Sequence, residues 1–403
     1  LLIDCQGNWG DIRTGDSAAA PRYIEARLTK FALEVAINPQ TTNWQVSYDG
    51  RRNEPICLPV KFPLVLAQGV EGIAVGLATK ILPHNFVELI QASIKVLEGK
   101  KFKLYPDFQT GGMMDAGDYQ SGLRGGKIRV RFKIDKLDKS TLVIREIPYG
   151  VTTGTLMESI VKASEKGQIK IKKLSDNTAA EVEVLIELQP GVSPDQTIDA
   201  LYAFTQCETS ISPNSCVIID NKPVFLAVEE ILRQSTFYTQ ELLRQELTIR
   251  LGELQEKWHF ASLEKIFIEK RIYRDIEECE TWEDVIDVIG LGLAKYIATP
   301  SSKTKADKRL LLHRDITVED IQRLTEIRIK RISKYNSFQA DELILGIETE
   351  LTQVRHDLAH LTEYTIAYFQ RLLDKYGKGR ERKTEITTFD TIQAAKVIAS
   401  NAE

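Results

Sequence analysis

The segment DSAAAPRYIEARL, Asp16 to Leu28, sets an arginine against a tyrosine just after a proline. A tyrosine phenol, with an ordinary pKa of about 10, is a weak nucleophile at neutral pH. A neighbouring cation and a metal-polarised phosphate favour its ionised, attacking form, and Arg22 offers a fixed positive charge with fork geometry for phosphate. Ile24, Leu28, Phe31 and Val35 follow at spacings of four, three and four, which predicts an amphipathic helix from Tyr23 to Val35 with Pro21 in its first turn. Free N–H groups and the helix dipole would then favour an anion beside Tyr23. Taken alone, these residue types suit an ordinary core or surface tyrosine better than a nucleophile.

Other chemistry is thinly represented. Of five histidines, only His356 and His360 share a helical face, without HExxH, and they flank an apolar seam as solvated residues would. The five cysteines are scattered with no CxxC, which fits reduced thiols rather than a disulfide framework or a zinc site. There is no GxxxxGK[ST], so ATP would have to be bound elsewhere, and no GxSxG. No metal-ligand set is expected in this chain.

The elements that must carry the Arg-Tyr pair fall into three regions. Up to about residue 123, short apolar runs alternate with Gly, Pro and Asn, and a second helix is expected near Phe86 to Leu97; strands dominate from about 125 to 220. Beyond Pro223, long helices follow. Leu247, Leu251, Leu254, Trp258, Ala261, Lys265, Ile268 and Ile272 keep a heptad spacing broken only by Lys265. Ile347, Leu351, Val354, Leu358, Leu361, Thr365, Tyr368 and Leu372 repeat it. An antiparallel stalk with a globular tip between its helices is predicted. The opening LLID reads as a strand already in progress, so natural sequence is expected upstream.

With 403 residues, 43% hydrophobic and 27% charged, the chain is long enough for two or three cores. No apolar run approaches a membrane span, and a soluble, cytoplasmic protein is expected. A net charge of -4 argues against coating nucleic acid by bulk electrostatics. Local basic charge exists: in KIRVRFKI, Lys127, Arg129, Arg131 and Lys133 alternate with apolar residues, and Lys162, Lys166, Lys170, Lys172 and Lys173 lie further on. The strand at 127–134 either contacts DNA or pairs with the acidic EVEVLIEL strand at 181–188, where facing charges would contribute roughly 0.2 to 1 kcal/mol per pair.

DSAAAPRYIEARL resembles the active-tyrosine segment of the breakage-reunion subunit of bacterial type IIA DNA topoisomerases, the A subunits of DNA gyrase and of topoisomerase IV. EGIAVGLATKILPHN (Glu71 to Asn85) resembles that family's glycine-rich segment, PDFQTGG (Pro106 to Gly112) a later turn, and REIPYGV (Arg145 to Val151) a strand-to-helix junction. Four motifs stand in the family's order, and the resemblance covers nearly the whole chain.

The resemblance implies a multidomain α+β fold. Residues 1–37 would end a winged-helix cleavage domain, 38–222 form an α/β tower, and 223–276 and 334–376 the two helices of a long coiled-coil stalk. Residues 277–333 would form a helical exit-gate tip that makes the homodimer, and 377–403 begin a linker. It implies that Tyr23 attacks double-stranded DNA to leave a 5′-phosphotyrosyl link, that Arg22 stabilises the charged transition state, and that Ile73 is an apolar wedge between base pairs, on a turn permitted by Gly72 and Gly76. Magnesium and ATP would be held by the ATPase-bearing partner subunit of an A2B2 complex, and topoisomerase IV-like decatenation and relaxation are favoured over gyrase-like supercoiling. The resemblance implies an upstream helix-turn-helix that completes the site and a C-terminal wrapping domain beyond the residues given, and the chain is expected to be inactive alone. Pro21 stands where the resemblance leads one to expect methionine. A competing reading, a non-catalytic dimeric coiled-coil scaffold that binds DNA, accounts for the stalk and the basic strand but leaves the ordered motifs unexplained.

Overall fold

The computed structural model describes residues 1–147, 149–304, 308–333, 335–390 and 392. Pro148 of REIPYGV, three residues of the expected tip, Lys334 and most of the end of the expected linker lie outside the described residues. The chain divides into two compact units, Leu1–Glu241 with Thr365–Glu403, and Leu242–Tyr364.

The first unit holds two four-stranded sheets, each with its own core. In one, strands Ile171–Asp176, Val184–Leu188, Thr141–Glu146 and Lys133–Lys136 lie side by side, all neighbours antiparallel. Its apolar face, including Leu142, Ile144, Val184 and Ile186, packs on Leu156, Ile160, Ala200 and Leu201 from helices Thr153–Glu165 and Pro194–Phe204. Alternation along each strand sends one set of side chains to the helices. The other sheet runs Glu208–Ile211, Ile128–Arg131, Met113–Asp115, Glu385–Ile386, and its Ile128, Val130 and Met114 share a core with Leu89, Ala92 and Val96 of helix Phe86–Leu97.

The basic strand does not form as one element. It breaks at Phe132, whose N–H donates to the Cys207 carbonyl, and its halves enter different sheets. Neither half pairs with the 181–188 segment, whose strand Val184–Leu188 sits between Thr141–Glu146 and Ile171–Asp176. The arginines instead meet carboxylates on their own neighbours: Arg131 Nε is 2.6 Å from Glu208, directly across the ladder, and Arg129 Nη2 is 2.9 Å from Asp115. A buried apolar core on both sides of Phe132 outweighs the regular alternation that suggested a single charged face.

The segment after residue 377 also departs from expectation. Rather than leaving the fold as a linker, it is sewn onto it through Asp390. Arg382 forks onto Glu88 at 2.7 and 2.6 Å and donates to the carbonyls of Pro106 and Tyr105. Thr384 is buried, Glu385–Ile386 adds a parallel strand to Met113–Asp115, and the Phe389 ring lies 4.3 Å from the Arg131 guanidinium.

In the second unit, Leu247, Leu251, Leu254 and Trp258 of helix Val228–Glu269 meet Ile347, Leu351, Val354 and Leu358 of helix Ser337–Ala359 in one apolar seam. Pairing of Arg250 with Glu350, Trp258 with Glu348 and Lys265 with Asp341 runs in opposite directions along the two helices, so they are antiparallel. Lys265, the polar residue in the heptad, thus has a carboxylate partner. The returning helix is interrupted at His360 (φ −120°, ψ 50°) and resumes at Leu361, and the outgoing one ends at Glu269, so Ile272 lies in a separate short turn. A globular core follows, in which Leu263, Phe267 and Ile272 pack with Ile289, Leu293, Ile321 and Leu324 of helices Trp282–Ala294 and Val318–Thr325.

Candidate active-site segment

Tyr23 sits at the end of a single 3-10 turn, Pro21–Tyr23, closed by its own N–H to the Ala20 carbonyl at 2.9 Å. Pro21 occupies the first position of that turn, where a missing N–H costs nothing. The expected helix from Tyr23 to Val35 does not exist. Residues Glu25–Leu28 form a strand paired antiparallel with Ile3–Gln6, and the helix begins only at Lys30, capped by the Thr29 hydroxyl accepting from Ala32 N–H. Of the apolar stripe only Phe31 and Val35 are buried; Leu28 is exposed. Pairing with an upstream strand overrides a helical periodicity that rested on four residues. No helix therefore begins at Tyr23, and the positive charge placed beside its ring is that of Arg22.

The Arg22 guanidinium carbon lies 4.7 Å from the centre of the Tyr23 ring, and Tyr23 is 67% exposed, so ring and cation are presented to solvent together. Gly7, at φ +91°, lets the preceding strand pass close by: a Cβ there would stand 2.8 Å from the Tyr23 carbonyl oxygen. Downstream, helix Lys30–Ala36 anchors the segment. Phe31 meets Phe62 and Tyr376 edge-on at 5.2 and 5.1 Å, and Glu34 accepts from Lys375 and Tyr376, both at 2.7 Å.

Ile73 lies on a hairpin of Val70–Ala74 with Leu77–Ile81 and is 92% exposed, with Val75 beside it at the turn wholly exposed. Gly76 at φ +76° makes the turn, as expected, whereas Gly72 is an ordinary strand residue without positive φ. The hairpin base is held by Thr79, whose hydroxyl donates to the Cys216 carbonyl at 2.8 Å, and by Asn214, which donates to Ala78 at 2.7 Å. An apolar side chain is thus held out on an anchored arm. Val75 and Asn214 carry no signal in the sequence that would single them out.

The other two motifs are structural. PDFQTGG receives the segment after residue 377: Asp107 accepts from the backbone N–H groups of Lys383 and Thr384, and Phe108 N–H donates to the Thr384 hydroxyl. It also meets REIPYGV, since Gly112 N–H donates to Glu146 at 2.8 Å, and a Cβ on Gly111 would strike the same carboxylate. His84, in the glycine-rich motif, is buried between the Leu66 carbonyl and the Tyr119 hydroxyl, and burial pushes its pKa down to about 4. His356 and His360 stack at 4.2 Å. Among the described residues no group of three or more His, Cys, Asp or Glu could hold a metal ion, and no helix is long and apolar enough to cross a membrane.

The chain is 37% identical over its whole length to the A subunit of DNA topoisomerase 4 of Borreliella burgdorferi, of which it covers 62%. It is 30% identical to the DNA gyrase A subunits of Lawsonia intracellularis and Ureaplasma parvum, over 87% and 96% of this chain and 43% and 46% of those proteins. The chain therefore spans less than two thirds of the relatives it matches. A family model for the A subunit of DNA gyrase/topoisomerase IV matches residues 1–370. The chain belongs to the family of DNA gyrase and topoisomerase IV A subunits.

Proposed function

We propose that this chain is the DNA breakage-reunion part of a bacterial, cytoplasmic type IIA topoisomerase, acting in a topoisomerase IV-like manner on double-stranded DNA. The observation that carries the reading is the exposed Tyr23 ring with the Arg22 guanidinium 4.7 Å away. The phenol loses its proton, its oxygen bonds to a backbone phosphorus, and the bond to the 3′ oxygen breaks, leaving a 3′-hydroxyl and a 5′-phosphotyrosyl link. Religation reverses the exchange. Arg22 balances the charge gathered on the phosphoryl oxygens. Ile73, held out on its hairpin, enters between base pairs and kinks the duplex.

The two-helix arm and globular end of the second unit serve as stalk and exit-gate tip, with residues 277–333 making the contact between two copies. Magnesium and ATP would be held by the ATPase-bearing partner subunit in an A2B2 complex. Two copies, each cutting one strand, give the double-strand break. The test uses the full-length protein with its ATPase-bearing partner, magnesium and supercoiled DNA, trapped with denaturant. Tyr23→Phe should leave no protein-linked 5′ ends, and Ile73→Ala should reduce DNA bending while leaving the fold intact, since the side chain is almost fully exposed. Linked 5′ ends from Tyr23→Phe would refute the mechanism.

A further inference from the structure

Tyr23 is held by little of its own surroundings: its turn has no buried residue, and both strands around it, Ile3–Gln6 and Glu25–Leu28, are exposed throughout. A nucleophile must nevertheless be placed to within a fraction of an ångström, because a displacement of about 1 Å costs up to roughly a hundredfold in rate. The residues between the first strand and Tyr23 supply a fixing point. They close into a compact loop through Asp11 N–H to Asp16 carbonyl, Gly15 N–H to Asp11 carbonyl and Ala19 N–H to Asn8 carbonyl, at 3.1, 2.8 and 3.0 Å.

At the apex of that loop, Arg13 makes three attachments. Its carbonyl accepts the N–H of Thr153 at 2.8 Å, and Thr153 is the first residue of helix Thr153–Glu165, whose opening amides lack partners within the helix. Its Nη1 donates to the Ala180 carbonyl at 2.6 Å, in the connection between two strands of the first sheet. Its Nε and Nη2 fork onto Asp11 at 3.0 and 2.5 Å, which returns the charge to the loop itself. Gly15 completes the docking: a Cβ there would stand 3.1 Å from the Thr152 methyl. The fork also holds the Asp11 carboxyl down to about 2, so it is charged at working pH.

We propose that Arg13 is a positioning residue for cleavage, locking the loop that carries Tyr23 onto the sheet-and-helix body at Thr153 and Ala180. This rests on Tyr23 being the nucleophile. Arg13 acts through the loop and not on the phosphate, so it sets where the phenol stands without adding to DNA affinity.

The experiment uses the full-length protein with its ATPase-bearing partner and measures the single-turnover rate of 5′-linked DNA formation at saturating DNA. Arg13→Ala should slow it roughly tenfold or more, with DNA affinity within twofold of the parent. Arg13→Lys, which keeps the charge beside Asp11 but not the fork, should recover part of the loss. Thr153→Pro removes the N–H that the Arg13 carbonyl accepts, at a first helical position that tolerates proline, and should slow cleavage similarly. In Arg13→Ala the amides of Gly15 and Ala19 should exchange hydrogen faster. Unchanged cleavage rates in Arg13→Ala and Thr153→Pro, or unchanged exchange in the loop, would overturn the proposal. A Tyr23→Phe control run alongside distinguishes the two ideas: linked DNA from that variant refutes the nucleophile, whereas the exchange data report on the Arg13 lock alone.

Discussion

Arg314 grips Asp320 with a two-bond fork, Nη1 to Oδ2 at 2.6 Å and Nη2 to Oδ1 at 2.9 Å, on a carboxylate that is only 2% exposed. The same guanidinium reaches Glu256 of the long helix through Nε and Nη2, both at 2.8 Å. Thr317 donates its N–H and hydroxyl to the Asp320 carboxylate, and its hydroxyl accepts from Asp320 N–H to cap helix Val318–Thr325. Together these hold the Glu256 carboxyl down to about 2 and Asp320 further below its ordinary value.

Removing the cation strands a buried charge. Arg314→Ala should destabilise the second unit by about 3 kcal/mol, read by chemical denaturation. Arg314→Lys should recover only part, because an ammonium cannot span both carboxylates. Wild-type-like stability of Arg314→Ala would mean that the fork contributes little.

His84 gives the first unit a pH dependence of known sign. Burial, with a smaller push from nearby Arg382, favours the neutral ring, so its pKa falls from 6.5 to about 4 in the fold. Between those values the unfolded chain binds the extra proton, and stability rises with pH. The contribution is complete above about pH 6.5 and is lost as pH falls towards 4, a change of about 3 kcal/mol. His84→Gln should flatten the stability profile across that window. A profile as steep as the parent's would assign the dependence to other groups.

Arg382 is the rivet of the returning segment. Arg382→Ala removes two bonds to Glu88 and two to backbone carbonyls, and should cost about 2 kcal/mol. Limited proteolysis should then cut between residues 377 and 390 well before the rest of the first unit. Equal protease resistance in parent and variant would show that the segment stays docked without it.

The sequence showed some of this plainly and some not at all. Strands at 128–131, 141–146 and 184–188 were legible because apolar alternation is a local property, and the helix seam because its heptads are regular. Partner choice was not: Arg131 could be read as facing acid, but nothing local says that the acid is Glu208 rather than a residue of 181–188. The helix expected at Tyr23 failed because Glu25–Leu28 pairs with Ile3–Gln6: the opening strand was legible in LLID, but nothing local named its partner. Arg13, Asn214 and Arg382 went unseen for one reason: each binds backbone or side chains more than a hundred residues away. Tyr23, Arg22 and Ile73 were singled out through motifs, and their exposure is a structural property that periodicity could not supply.

The parallel strand Glu385–Ile386 carries a consequence for how the chain comes together. Met113–Asp115 has its outer edge completed only by residues that are synthesised after both long helices. Until then that edge offers open N–H and C=O groups to any other strand. Closing so long a loop is slow, so the first unit should be the last to finish folding, and the nascent chain should be most prone to aggregate in the interval before residue 385 emerges.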